Sequence, residues 1–205
     1  MTYGKRPMKI AVYTGTFNPL HIGHLAIMEY LTCRQDFDMV YLIVSPQSPF
    51  KGYMKAETGE ERFRNAVAAL ARHPGLKVMA DDIELHLPAP QYTIRTLDAL
   101  KAREPENDFT LIIGADNLKD ICKWKDYRKI LCRYGVAVYP RKGYDMKSVR
   151  DGLLKECRTD PDGSGSCTGE KYRILLMEDA PTVDISSTQI REGIAAGIDM
   201  SSYMM

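Results

Sequence analysis

Short apolar runs alternate with amphipathic stretches along this chain. Lys9–Tyr13, Met39–Val44, Leu76–Ala80, Phe109–Ile113, Gly135–Tyr139 and Tyr172–Met177 are nearly continuous in apolar residues. That pattern suits strands buried on both faces. Between them the spacing turns helical. Ile22, Leu25, Ala26 and Leu31 fall on one face of a helix from about Ile22 to Arg34. Phe63, Val67, Leu70 and Ala71 follow a Thr58/Glu61 capping box, and that helix ends before Pro74-Gly75. Gln91-Tyr92-Thr93 opens a helix carrying Ile94, Leu97 and Leu100, and Met146–Cys157 predicts another. Ser186 with Gln189 forms a second capping box, opening a last helix that Gly197 closes. Asp81–Pro90, acidic and then proline-bounded, reads as irregular. Strands separated by helices give parallel pairs joined by right-handed crossovers. The expected fold is α/β, a doubly wound, mostly parallel sheet in a single domain over residues 1–205.

Composition narrows the function. With 205 residues, 44% of them apolar, the chain has enough material for one ordinary core. The 28 basic and 27 acidic residues leave no global field to attract nucleic acid or an anionic membrane. Met1–Pro7 is short, polar and basic, unlike a signal peptide, and no apolar run approaches a membrane span. The five cysteines form no C-x-x-C pair, which points to free thiols, no zinc site and a cytoplasmic protein. Arg158–Glu170, rich in Gly, Ser and Asp, reads as a flexible insert at 158–170.

The chemistry concentrates at strand-to-helix turns, where open α/β sheets bind phosphates. Thr14–His24, TGTFNPLHIGH, joins the first strand to the first helix. Gly15 allows close backbone approach or positive φ, and Pro19 stiffens the turn. His21 and His24, three apart, share a helix face. Ser45–Lys55 is a proline-rich loop at the end of the second strand; its Lys51 and Lys55 suit either a phosphate or bulk solvent. Gly114-Ala115-Asp116-Asn117 follows the fourth strand, and Asp116 suits either a ribose or base contact or a helix cap. Trp124, the only tryptophan, is either a packing residue or a stacking platform. Ile185-Ser186-Ser187-Thr188-Gln189-Ile190-Arg191 offers amides, hydroxyls and a guanidinium at a helix start, either a plain cap or a second phosphate cradle.

Gly15, Phe17, Pro19, His21, Gly23 and His24 together make G-x-F-x-P-x-H-x-G-H, and the later stretch makes I-S-S-T-x-I-R. In these two motifs the chain resembles the H-x-G-H nucleotidyltransferases, with their Rossmann-like fold. Tyr92-Thr93, Gly114-x-Asp116, Trp124 and Pro140-Arg141-Lys142-Gly143 resemble the branch acting on nicotinate mononucleotide. The resemblance implies an adenylyltransferase that joins ATP to nicotinate mononucleotide, releasing pyrophosphate, with Mg²⁺ carried in by ATP and no metal ligands of its own. It implies catalytic roles for His21, His24 and Arg191. Gly15, Thr16, Phe17, Gly114, Asp116, Ile185, Ser186, Ser187 and Thr188 would join them around ATP. Thr16, Asn18, Lys51, Tyr92, Thr93, Trp124, Lys125 and Arg141 would surround the mononucleotide. Phe50 stands where many relatives have histidine, and Asn18 where aspartate is frequent.

Other readings meet specific objections. A phosphopantetheine adenylyltransferase would share the outer motifs but not the Thr93–Trp124 pair. A nicotinamide-mononucleotide enzyme differs in one charge on the substrate. His21-Ile22-Gly23-His24 also spells the HIGH signature of class I aminoacyl-tRNA synthetases, yet the chain is short for one, lacks K-M-S-K-S and has no basic face for tRNA. A nucleotide sensor without turnover would not need the histidine pair.

Overall fold

The apolar runs pair into one sheet. The computed structural model describes residues 6–46, 58–156 and 171–205. Strands β1 (Lys9–Gly15), β2 (Met39–Val44), β3 (Val78–Asp81), β4 (Asp108–Gly114), β5 (Val136–Tyr139) and β6 (Ile174–Leu176) lie in the order β3-β2-β1-β4-β5-β6. Every pairing is parallel. The helices are α1 (Ile22–Cys33), α2 (Gly59–Ala71), α3 (Ile83–His86), α4 (Thr93–Arg103), α5 (Ala115–Asp120), α6 (Tyr127–Lys129), α7 (Met146–Glu156) and α8 (Ser187–Ala195).

Strand alternation sorts the core into two layers. Ala11, Tyr13, Leu42, Val44, Ile112 and Ala137 pack with Ile27, Met28 and Leu31 of α1 and Ala66 and Ala69 of α2. Their neighbours Val12, Ile43, Leu111, Ile113 and Val138 point the other way, onto Leu97 and Leu100 of α4, Leu118 of α5 and Leu153 of α7. Both faces are therefore covered, as continuous apolar strands require. The strand order reverses between β1 and β4. This opens a crevice at their carboxyl ends, where the Thr14–His24 stretch lies.

The structure departs from the sequence reading in places. The sheet, parallel throughout among the described residues, bears out the fold expected, but β3 and β6 are shifted or shorter than their apolar runs. Residues 83–86 form α3 instead of an irregular segment. Its Glu84 is buried and accepts from the Thr96 hydroxyl at 2.7 Å, so a long-range contact holds the turn. Residues 121–134 fold into a 3₁₀ turn, α6 and a π turn. Cys33 is a free thiol, but Cys132 is disulfide-bonded, which corrects the expectation of free thiols throughout. Lys51, Lys55 and the 158–170 insert lie outside the described residues. Among those described, no helix is long and apolar enough to cross a membrane.

Candidate active site

The two histidines cap α1 together. The His21 Nδ1 accepts from the Gly23 N–H at 3.1 Å, and the His24 Nδ1 accepts from the His21 N–H at 3.2 Å. Their rings lie 3.7 Å apart between centroids. A neutral imidazole has one donor and one acceptor nitrogen. With each Nδ1 accepting, each proton sits on Nε2. Burial, then the Arg141 charge, pushes His21 down to about 4. Burial, then His21 and Arg141, holds His24 well below the usual histidine range. At neutral pH both rings are uncharged Nε2–H donors.

The loop leading to them is tied down carbonyl by carbonyl. Gly15 O accepts from the Ser45 N–H at 2.8 Å, and Thr16 O from Arg62 Nη1 at 2.6 Å. Asn18 O accepts from Arg191 Nη1 at 2.6 Å, Pro19 O from the Ser187 hydroxyl at 3.0 Å, and Leu20 O from the Met205 N–H at 3.3 Å. Arg191 also donates to Thr188 Oγ1 at 3.0 Å. The second motif thus braces the first. Ser186 caps α8, accepting from the Gln189 N–H at 3.2 Å and donating to Gln189 Oε1 at 2.8 Å. Gly15 keeps a strand conformation; the positive φ belongs to Phe17, at 43°. Gly15 is needed because a Cβ there would lie 2.9 Å from the Phe17 ring, which packs edge-on against His24.

The facing wall comes from β4 and β5. A Cβ on Gly114 would fall 2.3 Å from Asp116 Oδ1 and 3.0 Å from Arg141, so glycine alone lets these side chains meet. Asp116 does not cap α5. Its Oδ1 is buried without a hydrogen-bond partner, 3.7 Å from Arg141 Nε. Arg141 donates to the Tyr139 hydroxyl at 3.0 Å and lies over its ring. Burial pushes the Tyr13 and Tyr139 phenols up, so both remain protonated beside the guanidinium. The resulting cavity, about 670 Å³, brings His21, His24, Asp116, Arg141, Ile185 and Ser186 together. Lys142 and Asp184 form an exposed 2.8 Å ion pair in its lining.

A family model described as cytidylyltransferase-like matches residues 12–193. The chain belongs to that family. It is 37% identical over 190 residues to a probable nicotinate-nucleotide adenylyltransferase of Flavobacterium johnsoniae, covering 93% of this chain and 88% of that one. It is 39% identical over 184 residues to one of Cytophaga hutchinsonii, covering 90% and 84%. Within the cytidylyltransferase-like proteins, the chain therefore falls among the nicotinate-nucleotide adenylyltransferases. The fold is shared with a Plasmodium falciparum nicotinic acid mononucleotide adenylyltransferase solved with NaAD, at TM-score 0.73 and 16% identity over 94% of this chain and 87% of that one.

Not every residue suggested by the motifs of this cytidylyltransferase-like chain lines the cavity. Tyr92, Thr93, Trp124 and Lys125 stand apart from its lining. Tyr92 stands at the N-cap position of α4, its ring under the Arg95 guanidinium and without a side-chain cap, and Trp124 is half-buried against the core. Thr16, Phe17 and Asn18 belong to the braced loop. The sequence reading missed Tyr13, Tyr139, Asp184 and Arg62, and took Gln189 for a cap residue only. Tyr139 signalled itself only by adjoining Pro140-Arg141. Arg62 shares the register of Ala66 and Ala69, two buried residues of α2.

Proposed function

We propose that this protein is a nicotinate-nucleotide adenylyltransferase, joining ATP and nicotinate mononucleotide to nicotinate adenine dinucleotide and pyrophosphate. The observation that carries this reading is the histidine pair. Two neutral Nε2–H donors and the Arg141 guanidinium share one cavity at the sheet's switch point. A mononucleotide phosphate oxygen attacks the α-phosphorus of ATP, the bond to the bridging oxygen breaks, and pyrophosphate leaves with the electron pair. The nucleophile is already ionised at neutral pH, so the chain supplies alignment and charge stabilisation rather than a base. His21 and His24 donate to the triphosphate, and Arg141 holds the mononucleotide phosphate. Gly114 and Asp116 meet the adenosine. Ile185, Ser186, Thr188 and Arg191 hold the outgoing phosphates, while Arg191 and Ser187 keep the first motif in shape. Tyr92, Thr93, Trp124 and Lys125 surround the nicotinate.

Mg²⁺ enters with ATP as part of the substrate. Among the described residues there is no group of three or more His, Cys, Asp or Glu able to hold a metal. A nucleotide-borne Mg²⁺ needs few protein ligands, because substrate phosphates and waters fill its shell. The test is pyrophosphate release from ATP and Mg²⁺ with nicotinate mononucleotide, nicotinamide mononucleotide and phosphopantetheine in parallel. Release with the nicotinate form and a dinucleotide product is expected. Release only with another acceptor reassigns the Thr93–Trp124 pocket, and no release from folded, ATP-binding protein favours a sensor.

A further inference from the structure

Arg62 is almost wholly buried on α2, outside the motifs, and its guanidinium is spent on backbone oxygens. Nη1 donates to Thr16 O at 2.6 Å and to Ser45 O at 2.7 Å, and Nη2 donates to Pro46 O at 2.5 Å. One rigid fork therefore joins the turn after β1 to the turn after β2. Burying a guanidinium is costly unless its donors are satisfied. A methionine or leucine would fill the same space, so packing alone does not explain the residue. The surroundings hold the same point. The Ser45 N–H donates to Gly15 O, and the Ser45 side chain bonds to the buried Glu84. Gly59 lets α2 approach closely, since a Cβ there would lie 2.7 Å from Leu85 and 3.2 Å from Pro46.

The consequence lies in one peptide plane. In a trans peptide the carbonyl and the N–H point in opposite directions. Thr16 O is drawn to Arg62, so the Phe17 N–H faces away from it. That N–H has no hydrogen-bond partner among the described residues. It sits on a residue with φ of 43°, a conformation that costs a bulky side chain energy and needs outside support.

We propose that Arg62 is a positioning residue for adenylyl transfer: it fixes the Thr16–Phe17 peptide so that its amide faces the reacting phosphates beside His24. This rests on the function proposed above. The test compares wild type, Arg62→Lys and Arg62→Ala in steady-state pyrophosphate release from ATP and nicotinate mononucleotide. Folding is followed by circular dichroism. Arg62→Lys keeps the charge but loses the fork, and its kcat should fall about tenfold or more, with both KM values within about threefold. Millimolar guanidinium should restore part of the kcat of Arg62→Ala and leave wild type unchanged. A kcat for folded Arg62→Lys within about twofold of wild type overturns the proposal. So does a loss that tracks the unfolded fraction and ignores guanidinium. If wild type itself releases no pyrophosphate, the functional reading falls first and takes this proposal with it.

Discussion

His21 and His24 complete each other's hydrogen bonds: the backbone of His21 donates to the ring of His24, while the ring of His21 caps the helix that carries His24. Each ring has two edges in use. Nδ1 builds the helix start, and Nε2–H is left for the cavity that both rings line.

Those jobs separate by mutation. In His21→Asn the amide oxygen accepts from the Gly23 N–H in place of Nδ1, since asparagine is a favoured cap. Stability should stay within about 0.5 kcal/mol of wild type while kcat falls about 10²-fold, the cost of losing one donor to developing charge. His21→Ala should lose the same activity and a further ~1 kcal/mol of stability. Urea unfolding alongside steady-state kinetics reads both. Equal stability for the two variants would remove the cap from the account.

The depressed histidines also set a pH dependence. His21 titrates near 4 in the folded chain and near 6.5 when exposed, and His24 is shifted in the same direction. Below 6.5 the unfolded state binds protons that the folded state refuses. Their contribution is therefore present above pH 6.5 and is lost as pH falls from 6.5 towards 4. The urea midpoint should drop between pH 7.5 and pH 5, and drop less in His21→Asn. A midpoint unchanged over that range in wild type would contradict the burial of these rings.

How legible all this was depends on the range of the interaction. Val12, Ile43 and Leu111 sit in short apolar runs, and burial on both faces follows from that composition alone, so the parallel sheet could be read directly. The caps at Thr58 and Ser186 are local and equally readable, although only Thr58 closes a full box: Gln189 accepts from the Ser186 hydroxyl and not from its backbone. Place at a helix start leaves Arg191 and Ser187 open to a plain cap or a phosphate cradle, and only the family resemblance makes them phosphate ligands. Their observed partners, Asn18 O and Pro19 O, lie 173 and 168 residues away. Glu84 and Arg62 give no signal in the sequence, because nothing near them shows the buried groups they satisfy. Gly15 announced a special backbone, but the constraint came from the Phe17 ring.

That constraint is testable. Gly15→Ala places a methyl group against the Phe17 ring at 2.9 Å, and Phe17 is wedged between Tyr13 and His24. The expected cost is about 1–3 kcal/mol of overpacking strain, with activity reduced because His24 loses its neighbour's support. Gly15→Ala with Phe17→Leu should recover most of the stability. A fully stable single variant would mean the ring has somewhere else to go.

The Lys142–Asp184 pair bears on nucleotide affinity. Both side chains are exposed, and the pair spans from the β5 turn to the segment before α8. Such pairs do little for stability. Asp184→Asn frees Lys142 and removes a negative charge from the wall of the cavity proposed to take the triphosphate. The KM for ATP should fall about two- to threefold at low salt, and the difference should fade at high salt as screening takes over. An unchanged or raised KM would show that Asp184 does not repel the triphosphate.

Trp124 tests the assignment of the second substrate. Its indole is half-buried and packs against the core layer that also receives Tyr92 and Tyr127. If it stacks on the pyridine ring, Trp124→Ala should raise KM for nicotinate mononucleotide about tenfold and leave KM for ATP within about twofold. Trp124→Phe should recover most of the loss, because an aromatic face survives. A packing role predicts something else: both KM values move together, stability falls, and phenylalanine rescues stability without restoring selectivity between the substrates. The ratio of the two KM effects, measured in folded protein, therefore decides whether Trp124 meets the mononucleotide or only packs.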